Sequence, residues 1–301
     1  MSVPIPAPLR WAPRPPLRSA EPPPNLRRIP APAPSTVAST GAHLSSLRRS
    51  ETFQDAANVY LVLEYCHGGD LFGLMGMYDD EVLPVDSARF YSASIASVFQ
   101  HIHSKRIIYR DLKTENLLLD RQGFLKVADF GFAKKLGEEA GARTWTLCGT
   151  PEHLAPEIIQ NKGHNMAADW WTLGINMYEF LAGEPPFNGD SPIATYRLIV
   201  AGDLQFPDDF DKEAADLVTR FLAPDPDKRF GCLERGAQDV LDHPFFGPID
   251  FAKLVAREVE PPHEPDVEDD EDISNFEEPE AQDDGIDTAD ITLNPADFDG
   301  W

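Results

Sequence analysis

The sequence predicts an α+β fold made mainly of helices, with a small remnant of a sheet at its start and a disordered arm on each side. A short apolar run at residues 59–64 is typical of a buried strand. Apolar side chains then recur with helical spacing through most of the following residues. Outside this body the composition shifts to proline and arginine on one side and to acids on the other.

The N-terminal stretch, residues 1–52, is predicted to be a Pro/Arg-rich disordered arm. Residues 1–50 contain 12 of the 28 prolines, seven arginines and a single acid, Glu21. Proline fixes φ and removes a backbone donor, and the remaining apolar side chains are too few to offset the entropy of ordering the chain. We therefore expect no packed structure in this arm.

Helical patterns fill the middle of the sequence. After Pro84, with Asp86 as the expected N-cap, apolar residues fall at i, i+4, i+7, i+8 and i+11 from position 91, which is typical of an amphipathic helix. Residues 167–182 are apolar nearly all round, which predicts a central, buried helix. Shorter patterns predict three further helices, around residues 198–200, 217–222 and 240–241.

The C-terminal stretch, residues 247–301, is predicted to be an acidic tail. From Glu258 onward it holds 18 acids and no Lys or Arg, which accounts for most of the net charge of −25. The body is acidic as well, which argues against nucleic acid as a partner because phosphate binding needs clustered Lys and Arg. We expect the tail to be mobile unless Phe276 or Trp301 finds an apolar groove.

Two further observations bear on the compartment. No apolar run approaches the roughly 18 residues that a membrane span needs, so no membrane partner is expected. The three cysteines, Cys66, Cys148 and Cys232, are too few and too scattered for a disulfide framework, which favours a reducing compartment. The expected location is therefore cytoplasmic.

Three sequence blocks follow one another in a fixed order: YRDLKTEN at residues 109–116, DFG at 129–131 and APE at 155–157. Blocks of this kind form the catalytic loop, the metal-binding motif and the end of the activation segment in protein kinases, so the chain resembles that family. The resemblance implies a partial protein-kinase-like domain at 53–246. Within it, residues 53–65 are the remnant of the N-terminal lobe (N-lobe), and residues 66–246 are the helical C-terminal lobe (C-lobe).

Phosphoryl transfer requires a group that accepts the substrate's proton, metal ligands and cations that hold the moving phosphate. By resemblance, Asp111 accepts the proton of the substrate hydroxyl, Lys113 contacts the transferring phosphate, and Thr150 braces both. Asn116 and Asp129 would hold Mg²⁺. The cofactors implied are ATP and Mg²⁺. The resemblance also implies two structural features. Glu157 and Arg229 would form a buried ion pair, and Asp169 would anchor the catalytic loop.

The motif TWTLCGTPE at residues 144–152 is similar to the activation segment of the AGC group of serine/threonine kinases, and the cAMP- and cGMP-dependent kinases fit best. Residues 89–91, 132–135 and 161–164 favour the cGMP-dependent branch. The resemblance implies that Thr146 is phosphorylated, since a phosphate there can gather Arg110 and Lys134 into charge-assisted hydrogen bonds.

The same resemblance implies protein substrates with basic motifs, and it also implies a regulatory subunit. Carboxylates pair with arginines that precede the phosphorylated Ser or Thr, and three acids match these positions: Asp70, Glu115 and Glu179. Three residues would form the apolar pocket for the residue after the phosphoacceptor: Leu147, Pro151 and Leu154. ATP would meet Asp70 and, through its adenine, the backbone of Glu64 and Cys66.

One part of the kinase machinery has no counterpart in this sequence. A kinase needs a Gly-rich loop over the phosphates and a strand lysine paired with a helix glutamate. No lysine precedes Lys105, and the only glycine before Gly68 is Gly41. Two alternatives to an active kinase therefore stay open: an inactive kinase fragment, and a pseudokinase that acts only as a binding module. Both predict weak ATP binding and negligible phosphate transfer.

Two tail segments also resemble the AGC group. Residues 273–276 resemble the tail segment that passes over the nucleotide site, and residues 298–301 resemble the terminal hydrophobic motif that docks on the N-lobe. The groove that would receive this motif has no evident counterpart in residues 1–58.

Overall fold

The computed structural model describes residues 27–28, 45–54, 59–139 and 141–276. Within these residues, seven short strands form three antiparallel sheets: β1 (Arg27–Arg28), β2 (Arg49–Gln54) and β3 (Val59–Leu63); β4 (Ile107–Ile108) with β7 (Lys134–Lys135); and β5 (Leu117–Leu119) with β6 (Leu125–Val127). The helices are α1 (Leu71–Met75), α2 (Val85–Ser104), α3 (Pro156–Ile159), α4 (Ala167–Ala182), α5 (Pro192–Ala201), α6 (Lys212–Phe221), α7 (Ala237–Leu241) and α8 (Phe251–Ala256). The predicted α+β class, dominated by helices, is confirmed.

The N-terminal sheet begins earlier than the sequence predicted. Strand β2 starts at Arg49 and pairs with β3, and β1 pairs with β2 at residues 27–28. Before β2, the Leu47 amide donates to the Val127 carbonyl at 2.9 Å, and the Val127 amide donates to the Ser45 carbonyl at 2.7 Å. The boundary of the arm at residue 52 was therefore wrong. Backbone pairing to β3 and β6, which composition does not report, orders this stretch. The rest of the arm and the motif at residues 298–301 lie outside the described residues.

The long helices lie close to where their periodicity indicated. The central helix α4 has the predicted bounds, and its buried side chains go around almost its whole circumference. Helix α2 begins at Val85, so the expected N-cap at Asp86 was wrong. Proline is pre-organised to open a helix, and Asp86 lies instead in the first turn, where its carboxylate binds Arg89. Among the described residues, no helix is long and apolar enough to cross a membrane.

The core of the C-lobe is built around α4, which packs against α2 and α6. Trp170 stacks on Phe221 of α6, with ring centroids 5.9 Å apart and an interplanar angle of 5°. Gly174 makes this approach possible, because a Cβ there would lie 2.7 Å from the Phe221 Cβ. The lobe is thus close-packed at the helix that supports the catalytic loop.

A buried ion pair ties the end of the activation segment to the lower part of the C-lobe. The Arg229 guanidinium donates to both carboxylate oxygens of Glu157, at 2.8 and 3.0 Å, and the two side chains are 0% and 3% exposed. Arg229 also donates to the Ala223 and Ala167 carbonyls. Because the fork geometry satisfies both buried charges, this predicted pair is confirmed as a structural element.

The described part of the acidic tail, residues 247–276, packs against the body. Helix α8 buries Leu254, and Arg257 binds Asp120 and covers the Phe124 ring. Farther along, Phe276 packs against an apolar cluster at the hinge between the lobes. The tail was expected to be mobile unless Phe276 or Trp301 found an apolar groove, and Phe276 meets that condition.

Candidate active site

Asp169 of the central helix α4 anchors the catalytic loop. Its fully buried carboxylate accepts hydrogen bonds from the amides of Tyr109 and Arg110, both at 2.9 Å, and lies 2.7 Å from Nε2 of His103. Arg110 has a φ of 75°, in the left-handed region that non-glycine residues rarely adopt. These bonds hold a strained backbone immediately before Asp111, so the anchoring role predicted for Asp169 is confirmed geometrically.

Asp111 is 8% exposed and faces the side chain of Asn116. The Asn116 amide donates to the Asp111 carbonyl at 2.8 Å and to its carboxylate at 3.1 Å. Burial raises the pKa of Asp111, and nearby Asp129 adds to this, whereas Lys113 and the Asn116 hydrogen bond oppose it. A carboxylate with a raised pKa and a fixed orientation is suited to accept a proton from a bound hydroxyl.

Asp129 follows β6 and reaches the same region as Asp111. Its φ is 44°, and its carboxylate accepts a hydrogen bond from the amide of Gly131 at 2.9 Å, which fixes the turn at residues 130–132. The backbone of Ala128 donates to the Asn116 carbonyl at 2.8 Å, so strand pairing brings the two predicted metal ligands together.

The oxygen donors near Asp111 fit a magnesium ion. The side-chain nitrogen of Asn116 is engaged by Asp111, which directs the amide oxygen elsewhere, and Asp129 has a second carboxylate oxygen beyond the one bound to Gly131. Mg²⁺ in phosphoryl-transfer sites is typically bound through one or two carboxylates together with substrate phosphates. Asn116 and Asp129 would hold the ion, which would neutralise phosphate charge when bound.

Lys113 and Thr150 lie on the open side of this cluster. The Lys113 ammonium is 3.8 Å from the Glu115 carboxylate and partly exposed. Thr150 borders a small cavity together with Arg110, Asp111 and His153. Thr150 is therefore beside Asp111, and its bracing role stays a prediction.

At the hinge, the predicted adenine contacts are partly engaged within the protein. The Glu64 amide donates to the Arg48 carbonyl at 2.8 Å, and the Glu64 carboxylate lies 3.1 Å from the Lys126 ammonium. Cys66 is 1% exposed, and burial raises its pKa to about 12, so its thiol is inert. The Glu64 carbonyl and the Cys66 backbone stay candidates for adenine.

A second apolar cluster lies next to this hinge. Cys66, Leu118 and Ala128 form it, with Leu47 from the N-terminal side and Phe276 from the tail packed against it. The tail is also tied here by hydrogen bonds: the Tyr65 hydroxyl donates to the Asp272 carbonyl at 3.0 Å, and the Asn275 amide donates to the His67 carbonyl at 2.9 Å. The cluster therefore joins the N-terminal side, the hinge and the tail beside the predicted metal ligand Asp129.

The three predicted substrate acids have different environments. Glu115 is about half exposed, whereas Asp70 accepts a hydrogen bond from the Gly73 amide at 2.8 Å and caps α1. Glu179 of α4 is 19% exposed and has His153 as its neighbour at 3.8 Å. A capping role accounts for Asp70 without any substrate, so its substrate role is the least supported of the three.

The three residues predicted to form an apolar pocket differ widely in their exposure to solvent. Leu154 is 4% exposed and Leu147 is 63% exposed, with Pro151 in the turn between them. A pocket formed by all three therefore stays a prediction.

Sequence reasoning missed three polar residues of the site. His103 contacts Asp169, Lys126 contacts Glu64, and His153 adjoins Glu179. Each has its partner far away in the sequence, so spacing gives no signal for the pairing. For His153, the one local signal was its position immediately before the buried Leu154, on a turn that begins at Pro151.

Comparison with known proteins agrees with this geometry. Residues 37–246 match the protein kinase domain family. The chain is 44% identical over 239 residues to the cAMP-dependent protein kinase catalytic subunit PRKX of Homo sapiens, covering 78% of this chain and 64% of that protein. It is 46% identical over 227 residues to a cAMP-dependent protein kinase catalytic subunit of Dictyostelium discoideum, covering 75% and 34%.

A third relative belongs to the other branch. The cGMP-dependent protein kinase, isozyme 2 forms cD5/T2, of Drosophila melanogaster is 39% identical over 253 residues, covering 82% of this chain and 26% of that protein. The chain thus spans 64% or less of the length of these relatives. Since the family match covers more than half of the chain, the chain belongs to the protein kinase family, and within that family it is similar to both cAMP- and cGMP-dependent kinases.

Proposed function

We propose that this protein is a serine/threonine kinase that transfers the γ-phosphoryl group of ATP to Ser or Thr residues preceded by basic residues. The observation that carries the proposal is the arrangement of Asp111, Asn116 and Asp129 around one point, on a loop anchored by a fully buried carboxylate. Catalysis of phosphoryl transfer depends mainly on positioning and charge stabilisation. This cluster would supply the positioning and the metal ligands, while Mg²⁺ and Lys113 would supply the charge stabilisation.

In the proposed reaction, Asp111 orients the substrate hydroxyl and accepts its proton, and Lys113 faces the transferring phosphate. ATP would lie with its adenine against the backbone of Glu64 and Cys66, and Asn116 and Asp129 would hold Mg²⁺ near its phosphates. Glu115 and Glu179 would bind substrate arginines through charge-assisted hydrogen bonds. A regulatory subunit is the proposed protein partner, by analogy with relatives that are named as catalytic subunits.

Thr146 is the proposed regulatory phosphorylation site. It is exposed, and Thr144, two residues before it, accepts a hydrogen bond from the Lys134 ammonium at 3.0 Å. Arg110 donates through Nε to the Phe132 carbonyl, and its buried Nη1 has no hydrogen-bond partner among the described residues. A phosphate on Thr146 would give both cations an anionic partner and would order the activation segment.

A second candidate function is a binding module without catalysis. It is favoured by the absence of lysine and the presence of a single glycine, Gly41, among residues 1–58 of this sequence. Without a strand lysine and a Gly-rich loop, the γ-phosphate would be neither fully neutralised nor held in line, which would cost on the order of several kcal/mol in the transition state.

One experiment separates the two candidates. The full chain is incubated with Mg²⁺, labelled ATP and a peptide carrying two arginines before a serine, and phosphate incorporation is compared with that of Asp111→Asn. Loss of the base should lower the rate at least about 100-fold. Asp227→Asn, on an exposed loop, is the matched control and should keep the wild-type rate.

The kinase proposal fails if the folded wild-type chain, tested also with Thr146→Glu, incorporates no more phosphate than Asp111→Asn. In that case the binding-module candidate replaces it, and Mg²⁺-ATP affinity measured by calorimetry then tells whether nucleotide binding is kept.

A further inference from the structure

A histidine lies directly behind one of the acids proposed to bind substrate arginines. Nε2 of His153 is 3.8 Å from Oε2 of Glu179, and the two side chains are 13% and 19% exposed. The Glu179 Oε2 atom and both ring nitrogens of His153 are fully buried and have no hydrogen-bond partner among the described residues. Two buried polar groups therefore face each other without a bond.

The arrangement divides the Glu179 carboxylate into two sides. Oε2 faces inward to His153, while the side chain keeps part of its surface open to solvent. Burying a carboxylate oxygen without a hydrogen-bond donor costs free energy. Its attraction to a nearby cation is strong, because the local dielectric constant is low. The open side can take a guanidinium from a substrate, and the inner side can take a proton-bearing imidazole.

Several ionisable groups lie around His153. It borders one cavity with Arg110 and Asp111, and it is close enough to Asp111 to affect the ionisation of that carboxyl. The other ionisable groups nearby are Glu152 on the same turn and Glu179 on α4. Helix α5, which packs on the turn, carries Tyr196 and Arg197.

We propose that His153 is a positioning residue that sets how strongly Glu179 binds a substrate arginine. As a neutral ring it leaves the carboxylate charge available to the substrate. Histidine is the side chain whose charge changes near neutral pH. Once it carries a proton, it pairs with Oε2 and competes with the guanidinium for the same carboxylate. The inference rests on the proposed preference for basic substrates, and it adds a pH-dependent control of that preference.

The test is a binding measurement, so it needs no phosphate transfer. A fluorescent peptide with two arginines before a serine is titrated with the full chain from pH 7.5 to 5.5, and the Kd is read by anisotropy. We expect the wild-type Kd to rise about tenfold as the pH falls, the size of one charge-assisted hydrogen bond. His153→Gln keeps a polar side chain but cannot gain a charge, so its Kd should change less than about twofold.

Three controls sharpen the result. His263→Gln, in the tail, should keep the wild-type pH dependence. Glu179→Gln should bind weakly at every pH, and it tests the same pairing if the His153 variant does not fold. A peptide in which both arginines are replaced by norleucine should bind weakly and without pH dependence.

The proposal is overturned if His153→Gln or Glu179→Gln keeps the wild-type pH dependence, or if the norleucine peptide shows it. A different failure would concern the proposed function: if the wild-type chain binds the arginine peptide no better than the norleucine peptide at any pH, the basic substrate class itself is wrong.

Discussion

The C-lobe and the N-terminal sheet differ in how their residues are held. In the C-lobe the largest aromatic side chains are almost fully buried, and the buried charges of Glu157 and Asp169 have partners. In the sheet of β1, β2 and β3, Phe53 is buried, whereas Tyr60 and Leu61 are 40% and 38% exposed. The residues that would accept the substrate proton and hold Mg²⁺ belong to the tightly packed region, so the catalytic cluster does not depend on the sheet.

The largest expected effect comes from breaking the Glu157–Arg229 pair. Glu157→Gln leaves the fully buried guanidinium without its counter-charge, so the free energy of unfolding should fall by about 3–5 kcal/mol. Urea unfolding measures it. Lys228→Gln is the matched control, because its 3.6 Å pair with Asp225 is largely exposed and should contribute less than about 1 kcal/mol. Equal losses in the two variants would contradict the distinction.

The next effect concerns a buried histidine of the C-lobe. His164 is 3% exposed, and burial, aided by Arg110, lowers its pKa to about 4 from the usual 6.5. The unfolded chain therefore binds a proton below pH 6.5 that the folded chain binds only near pH 4. Stability is lost as the pH falls through this window, by up to about 3 kcal/mol.

His164→Gln should remove that part of the acid destabilisation, as measured by urea unfolding between pH 7 and 4. An unchanged slope in His164→Gln would mean that the carboxylates alone cause the loss.

The same contrast explains what the sequence could predict. The bounds of α4 followed from a continuous apolar run, and Asp111, Asn116 and Asp129 followed from motifs whose chemistry fixes their order. Strand β2 was missed because its sequence, RSETFQ, is mostly polar and lies next to the Arg-rich arm, whereas its order comes from backbone pairing with β3. The stretch before it is held by hydrogen bonds that join residues far apart in sequence, including Leu47 with Val127. Asp86 was misassigned because proline opens α2 directly.

The pairing of His153 with Glu179 and of Lys126 with Glu64 could not be predicted from spacing. Both pairs form across elements whose relative arrangement only the packed structure defines. Motifs therefore report the residues that chemistry requires, and tertiary packing decides which polar neighbours surround them.

A smaller effect, of opposite sign, is expected at the catalytic aspartate. Because burial raises the pKa of Asp111, its charged form is disfavoured in the folded state at neutral pH. Asp111→Asn should therefore stabilise the protein by about 1 kcal/mol at pH 7.5, a typical gain from neutralising a functional site, while abolishing transfer. The gain should shrink as the pH falls toward the unfolded pKa of aspartate, about 3.9. Destabilisation at pH 7.5 would mean that the Asn116 and Lys113 contacts outweigh burial.

The smallest effect is expected in the N-terminal sheet. Leu61→Thr replaces an exposed leucine of β3 by a residue that favours strands, so the free energy of unfolding should change by less than about 0.5 kcal/mol. The variant should also raise solubility, because it reduces the apolar surface that β3 exposes next to Tyr60. Leu217→Ala on α6 gives the contrast, since that side chain is fully buried and its truncation should cost about 2–5 kcal/mol. A loss above about 1 kcal/mol in Leu61→Thr would mean that another segment or a second chain covers the sheet in solution, and light scattering of the two proteins would distinguish these.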